Sequence, residues 1–302
     1  MRFHAITACA AVLAALSANA FARAQSQGAQ QSQDSSAAQS ATSPDVNLTP
    51  RRLVFGPNDR GVKEITVFNK TDSTATYTIA LLDRAMTPDG SIVAVDKAPA
   101  AEQERLKSAT GWIRYSPRQM TLGPHESQTV RLQARPPAGT APGEYRTHFS
   151  VSATPPANTG TDIAAAASGV EEKNLKIRIT PVYGILIPII VRTAELPAEA
   201  SISDVHLVSG GARKGVAFAI HRTGQRSLYG GIEVFLLGSG SPAKVASIRG
   251  LGVYGEIDQR NVVLPLDPKG PAVGPGSKLK IVYTDDELNP GKVLAETEVT
   301  VS

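Results

Sequence analysis

Residues 175–192, LKIRITPVYGILIPIIVR, are the longest β-like run in this 302-residue chain. Apolar side chains and one proline occupy its odd positions: Leu175, Ile177, Ile179, Pro181, Tyr183, Ile185, Ile187 and Ile189. Because side chains alternate between the two faces of a strand, this spacing predicts a strand with one apolar face. An ordinary buried core strand is one interpretation. Pro181 and Pro188 favour a sheet edge instead, since each removes a backbone donor. An edge left open can pair with another chain.

Outward from this run, short alternating segments are separated by Gly, Pro, Asn and Asp from residue 46 onward. Residues 128–134, QTVRLQA, are typical, with apolar and polar side chains on opposite faces. About seven such segments in each half predict an all-β fold of two immunoglobulin-like β-sandwich domains in tandem. We expect the domains at 46–193 and 201–302, with a linker at 194–200.

The N-terminal residues have the pattern of an export signal. Residues 1–24 carry Arg2, then an apolar stretch, then small residues before a cleavage site that we expect after Ala24. Residues 25–45 are rich in Gln, Ser and Ala, which predicts a disordered tail because they offer little to bury. A second low-complexity stretch at 157–169 predicts a long mobile loop over residues 157–173. No run is long and apolar enough to predict stable membrane insertion.

Charge and cysteine content exclude several classes of protein. The 31 Lys and Arg residues exceed the 27 Asp and Glu residues by little and form no basic stripe, which argues against a nucleic-acid partner. The single cysteine, Cys9, lies in the expected leader, so the mature chain can form no disulfide and has no thiol nucleophile.

No motif predicts catalysis, a cofactor or a metal. Residues 250–255, GLGVYG, match a dinucleotide-binding pattern, but no helical periodicity follows, so we expect a turn or bulge in a sheet. The acidic group at 285–287 lacks the spaced oxygen ligands of a calcium loop and predicts a solvated turn. Four histidines show no metal-ligand spacing and are expected on the surface or on strand faces: His125, His148, His206 and His221. Of the three functions considered for this sequence, an exported hydrolase is therefore the least supported.

Several segments in fixed order resemble the PapD-like periplasmic pilus-assembly chaperones. These segments are RLVF at 52–55, EITVFN at 64–69, LGP at 122–124, VRL at 130–132, GEYR at 143–146, and Arg192 at the end of the long run. The resemblance extends over residues 46–193, whereas the C-terminal half is similar only in its strand pattern.

The resemblance implies a non-enzymatic chaperone that binds pilus or fimbrial subunits by donor-strand complementation and delivers them to an outer-membrane usher. The groove-filling side chains would be Ile177, Ile179, Tyr183, Ile185 and Ile187. Arg52 would bind the C-terminal carboxylate of the subunit. Glu144 and Arg192 would form an interdomain salt bridge.

One position departs from the family. Four residues before the terminal Arg192, where the family has a second cationic anchor, this chain has Pro188. Arg52 could therefore act alone, Arg51 or Arg178 could assist it, or the clamp could be lost. The alternative function is a structural or adhesive two-domain component of a surface appendage or envelope complex.

Overall fold

The computed structural model describes residues 46–59, 61–154, 161–163, 177–179, 184–210, 213–238 and 240–302. The predicted leader and tail lie outside these ranges. Strands up to residue 192 are β1 (Val46–Thr49), β2 (Leu53–Phe55), β3 (Lys63–Asn69), β4 (Ala75–Leu82), β5 (Arg84–Met86), β6 (Ile92–Ala94), β7 (Ile113–Ser116), β8 (Gln119–Leu122), β9 (Ser127–Ala134), β10 (Glu144–Thr154), β11 (Thr161–Ile163), β12 (Ile177–Ile179) and β13 (Gly184–Arg192).

The first sandwich consists of two sheets. One has the strand order β1-β3-β9-β7 and the other has the order β2-β13-β10-β4-β8. Their inner faces meet in one apolar core, in which Ile65, Val130, Tyr77, Phe149 and Ile189 are fully buried. The polar side chains that alternate with them, such as those of β9, face solvent. Period-two patterning thus separates a core face from a solvent-exposed face in strands such as β9.

The second sandwich contains the remaining seven strands. They are β14 (Ala198–Gly210), β15 (Arg213–Gly224), β16 (Leu228–Leu237), β17 (Ala243–Val253), β18 (Gln259–Pro265), β19 (Lys278–Asp285) and β20 (Val293–Thr300). Sheets β14-β15-β18 and β17-β16-β19-β20 enclose a second apolar core. The predicted all-β fold of two immunoglobulin-like sandwiches is confirmed, and β14 begins at Ala198, inside the segment expected to be the linker.

A segment between β4 and β7 joins the two sandwiches. It contains the β5–β6 hairpin, a helix α1 (Ala100–Arg105), and two short 3₁₀ turns, Val95–Lys97 and Thr110–Trp112. Met86, at the end of β5, is only 3% exposed and packs in the core of the second sandwich. Its backbone N–H donates a 2.6 Å hydrogen bond to Oε1 of Glu256 in the second sandwich. The first half of the chain therefore contributes a side chain to the core of the second.

Two loop predictions can be compared with the strands. β11 lies within residues 157–173 and pairs antiparallel with β12, so the prediction of an unbroken loop there is wrong. The bulge predicted at the glycines of 250–255 is confirmed. The pairing of β16 with β17 shifts register between Gly230 and Ile232 of β16. On the β17 side, Gly250 adopts a φ of 71°, a backbone conformation that favours glycine. No helix among the described residues is long and apolar enough to cross a membrane.

Candidate functional site

Strand β13 has one edge that is only partly covered. On one side it pairs with β10 along its whole length, from Gly184 to Arg192. On the other side β2 pairs in parallel with residues 189–191 only. In the part of the chain that the structure describes, no strand pairs with this side of residues 184–188. Within the described residues, this stretch is therefore a short open sheet edge whose outer side has no strand partner.

The side chains of β13 divide between the core and the surface. Ile187 is 3% exposed and packs in the core of the first sandwich, while Ile185 lies half-buried at the rim of that core. Leu186, on the opposite face, is 39% exposed. Ile187 is thus unavailable to a partner while the first sandwich is folded. At the other end of the predicted run, Ile177 and Ile179 lie in β12, paired with β11, and Tyr183 lies outside the described residues.

Arg52 and Arg192 lie on either side of the carboxylate of Glu287. Nη2 of Arg52 is 2.8 Å from Oε2 of Glu287, and Nη1 of Arg192 is 2.5 Å from Oε1. Nε of Arg192 donates a 2.9 Å hydrogen bond to Oε2 of Glu144, whose Oε1 accepts the backbone N–H of Ser227 at 3.1 Å. We call Arg52, Glu144, Arg192 and Glu287 the arginine–glutamate cluster. It links β10 and β13 of the first sandwich to the second sandwich.

The arginine–glutamate cluster is buried and its charges are mutually stabilised. Side-chain exposure of its members is 10% or less. Burial alone would raise the pKa of Glu287, but the guanidinium groups of Arg52 and Arg192 outweigh burial and hold this pKa below its ordinary value. Burial opposes the charge of Arg192, whereas Glu287 and Glu144 raise its pKa. Arg52 also lies over the Tyr229 ring, 4.6 Å from its centroid.

The turn that carries Glu287 is more ordered than a solvated loop. Asp285 is 2% exposed, and its Oδ1 accepts the N–H groups of Glu287 at 2.7 Å and Leu288 at 3.2 Å. The prediction that residues 285–287 form a solvated turn is therefore wrong for Asp285 and Glu287. Their local sequence is polar, and the carboxylate of Glu287 is buried against arginines that are distant in the chain. The sequence around residues 285–287 carries no signal of this pairing.

The candidate assistants of Arg52 differ in their positions. Arg51, next to it in the chain, is exposed. Arg178 lies in β12, opposite Asp162. Pro188, which stands where the family has its second cation, is half-buried in β13 opposite His148. Among the described residues, Arg192 is instead the second cation of the cluster. No group of three or more metal-ligating side chains occurs in the described ranges.

A second buried ion pair crosses between the sandwiches. Nη1 of Arg146, on β10, donates a 2.9 Å hydrogen bond to Oε2 of Glu256, and Nη2 contacts Oε1 of the same carboxylate. Nη2 also donates to the backbone carbonyl of Arg84 at 3.1 Å. The guanidinium lies 4.0 Å from the centroid of the Tyr254 ring. Both charged side chains are almost fully buried.

His148 is a buried histidine beside this ion pair. Burial and, to a smaller extent, the positive charges of Arg146 and Arg84 together lower its pKa to about 3. Its Nδ1 has no hydrogen-bond partner among the described residues. The imidazole is therefore neutral in the folded chain at pH values well below the ordinary histidine range.

We expect the folded chain to lose stability as the pH falls below about 6.5, the ordinary pKa of histidine. In that range the unfolded chain binds a proton at His148 that the folded chain does not, so acid favours unfolding. Between pH 7 and pH 5 the loss from this residue is about 2 kcal/mol. Urea unfolding at the two pH values measures it, with His148→Gln as the comparison. An equal loss of stability between the two pH values in His148→Gln would contradict the assignment of this loss to His148.

No family model matches the chain, and no curated protein matches it. Solved structures that are similar include the Pseudomonas aeruginosa CupB2 chaperone, at 11% identity and a TM-score of 0.42, covering 85% of this chain and 100% of that one. Another is the CsuC–CsuE chaperone–tip adhesion subunit complex of Acinetobacter baumannii Csu pili, at 12% identity and a TM-score of 0.40, covering 85% and 99%.

A third similar structure is the Salmonella enterica SafA pilin in complex with the SafB chaperone, at 12% identity and a TM-score of 0.38, covering 85% and 96%. Each of these three structures contains a chaperone, and two of them also contain a pilus subunit.

Proposed function

We propose that this chain is a periplasmic chaperone that binds pilus or fimbrial subunits by donor-strand complementation and delivers them to an outer-membrane usher. A chaperone of this kind lends a strand to a subunit sandwich that lacks one, which requires no catalytic chemistry. The observation that carries the proposal is the open edge of β13 at residues 184–188. Strand addition needs such an edge, because the incoming chain binds through unpaired backbone groups.

The position of β13 supports a strand shared between two cores. Its C-terminal half, from Ile187 onward, fills the core of the first sandwich, while Ile185 stands at the rim. Since side chains on one face of a strand keep the same direction, the residues before Ile185 would continue this face beyond the sandwich. We therefore assign Ile177, Ile179, Tyr183 and Ile185 to the groove of the subunit. Each would contribute about 1.5–3 kcal/mol before the costs of association.

The buried arginines support the second half of the proposal. Arg52 is the residue that we propose to bind the subunit's C-terminal carboxylate, which would set the register of the added strand. Glu144 and Arg192 would hold the angle between the sandwiches, because their ion pair continues to Glu287 of the second sandwich.

Two neighbouring substitutions of equal charge test strand addition. The tagged chain is isolated from the periplasm as wild type, Ile185→Asp and Leu186→Asp. We expect wild type and Leu186→Asp to retain a stoichiometric, β-rich secreted subunit, and Ile185→Asp to lose it by about tenfold or more, since a charge would enter an apolar groove. Leu186→Asp is the matched control, because its side chain already faces solvent.

Hydrogen exchange on the purified complex then locates the contact. Amides of residues 184–187 should exchange more slowly in the complex than in the free chain. Unchanged exchange at this edge, or full retention of the subunit by folded Ile185→Asp, would exclude donor-strand complementation. If the tagged chain is recovered only as part of a large envelope assembly, the alternative function as a structural or adhesive component is favoured instead.

A further inference from the structure

Glu287 occupies, within the free chain, the position of a carboxylate bound to Arg52. We propose that Glu287 is an internal competitor for this arginine, so that a subunit must displace it before its own C-terminal carboxylate can bind. The inference rests on the proposed chaperone function and adds a residue that sets its affinity. The stand-in group is chemically the same as the ligand: a carboxylate, 2.8 Å from Nη2 of Arg52.

Glu287 uses only part of the hydrogen-bonding capacity of Arg52. The contact involves Nη2 alone, and this nitrogen also donates to Oγ of Ser227 at 3.3 Å. Nε and Nη1 of Arg52 are buried and have no hydrogen-bond partner among the described residues. A guanidinium can hold a carboxylate through two parallel N–H groups, which is stronger than one. An incoming carboxylate could therefore gain a bidentate contact that Glu287 does not make.

The cluster can release Glu287 without leaving Arg192 unpaired. Arg192 keeps Glu144 as a counter-ion at 2.9 Å. The incoming carboxylate would replace Glu287 beside Arg52, so the two arginines would still face two carboxylates. This balance matters because removing one partner of a buried ion pair without replacement costs several kcal/mol.

Displacement also requires little movement of the backbone. The turn is held by Asp285, whose carboxylate accepts N–H groups from Glu287, Leu288 and Asn289. Leu288 is 47% exposed, so the turn lies at the surface. A rotation of the Glu287 side chain alone could therefore carry its carboxylate into water while the turn stays in place. The same movement would remove the contact of Glu287 with Arg192, so subunit binding would loosen one link between the sandwiches.

The test uses two synthetic ten-residue peptides of alternating valine and threonine, one with a free C-terminal carboxylate and one with a carboxamide. Their affinities are measured for wild type, Glu287→Gln and Glu287→Ala. We expect both variants to bind the carboxylate peptide about tenfold more tightly than wild type does, with the carboxamide peptide unchanged. Glu298→Gln is the control, because Glu298 is an exposed glutamate that forms an ion pair with Lys278 and lies outside the arginine–glutamate cluster. Circular dichroism confirms that each variant is folded.

The outcomes separate this inference from the proposed function. Glu287 does not compete if the variants bind both peptides equally well, or if they bind the carboxylate peptide no more tightly than wild type does. Either result overturns the inference while strand addition stands. If neither peptide binds wild type at 1 mM, and hydrogen exchange at residues 184–187 is unaffected, strand addition itself fails and the inference fails with it. Loss of carboxamide-peptide binding in Ile185→Asp shows that the peptide uses the β13 edge.

Discussion

Arg146→Ala is expected to lower the free energy of unfolding by about 3–5 kcal/mol. The substitution leaves the carboxylate of Glu256, which is only 2% exposed, buried without its counter-ion. The carbonyl of Arg84 loses its donor as well. Chemical denaturation, followed by circular dichroism, measures the change.

Two controls distinguish a buried ion pair from a general effect of losing an arginine. Arg131 forms an exposed pair with Glu64 on the first sandwich, and Arg131→Ala should cost less than about 1 kcal/mol. The double variant Arg146→Met with Glu256→Leu should be more stable than Arg146→Ala, since it removes both charges together. An Arg146→Ala variant within about 1 kcal/mol of wild type would show that Glu256 finds another partner or reaches water.

Strands were predictable from sequence because alternation is a local property. In β9, Val130 and Leu132 are buried and Arg131 is exposed, as their spacing predicts. The same holds for the odd face of β13, where Ile187 and Ile189 lie in the core. Period-two patterning therefore identifies which face of a strand is apolar. It does not say whether that face meets the chain's own core or a partner's.

The cluster and the joining segment were not predictable in the same way. Arg52 and Glu287 are 235 residues apart, and nothing near Glu287 in the sequence indicates an arginine. The acidic turn was predicted to be solvated from its composition, whereas its environment is set by strands of the other sandwich. Met86 likewise lies in a short strand beside the first sandwich and packs in the core of the second. Contacts between distant segments decide these positions, and a single sequence carries no record of them.

Ile187→Asp is expected to unfold the first sandwich, which distinguishes a core residue from a groove-filling one. Ile187 lies opposite Phe149 of β10, and both side chains are buried. The substitution removes a buried aliphatic side chain, which costs about 2–5 kcal/mol, and it places a carboxylate in an apolar core, which costs several more. The total approaches the whole stability of an ordinary domain, about 5–15 kcal/mol.

The single tryptophan provides the measurement. Trp112 lies against Tyr145 of the first sandwich, with ring centroids 4.3 Å apart, so its fluorescence reports on this half of the chain. Emission should shift to that of exposed tryptophan in Ile187→Asp and stay at the wild-type position in Leu186→Asp, because that side chain points to solvent. If Ile187→Asp instead kept the wild-type emission and lost only the subunit, Ile187 would belong to the partner's groove. The boundary between the two cores along β13 would then lie C-terminal to Ile187 rather than at Ile185.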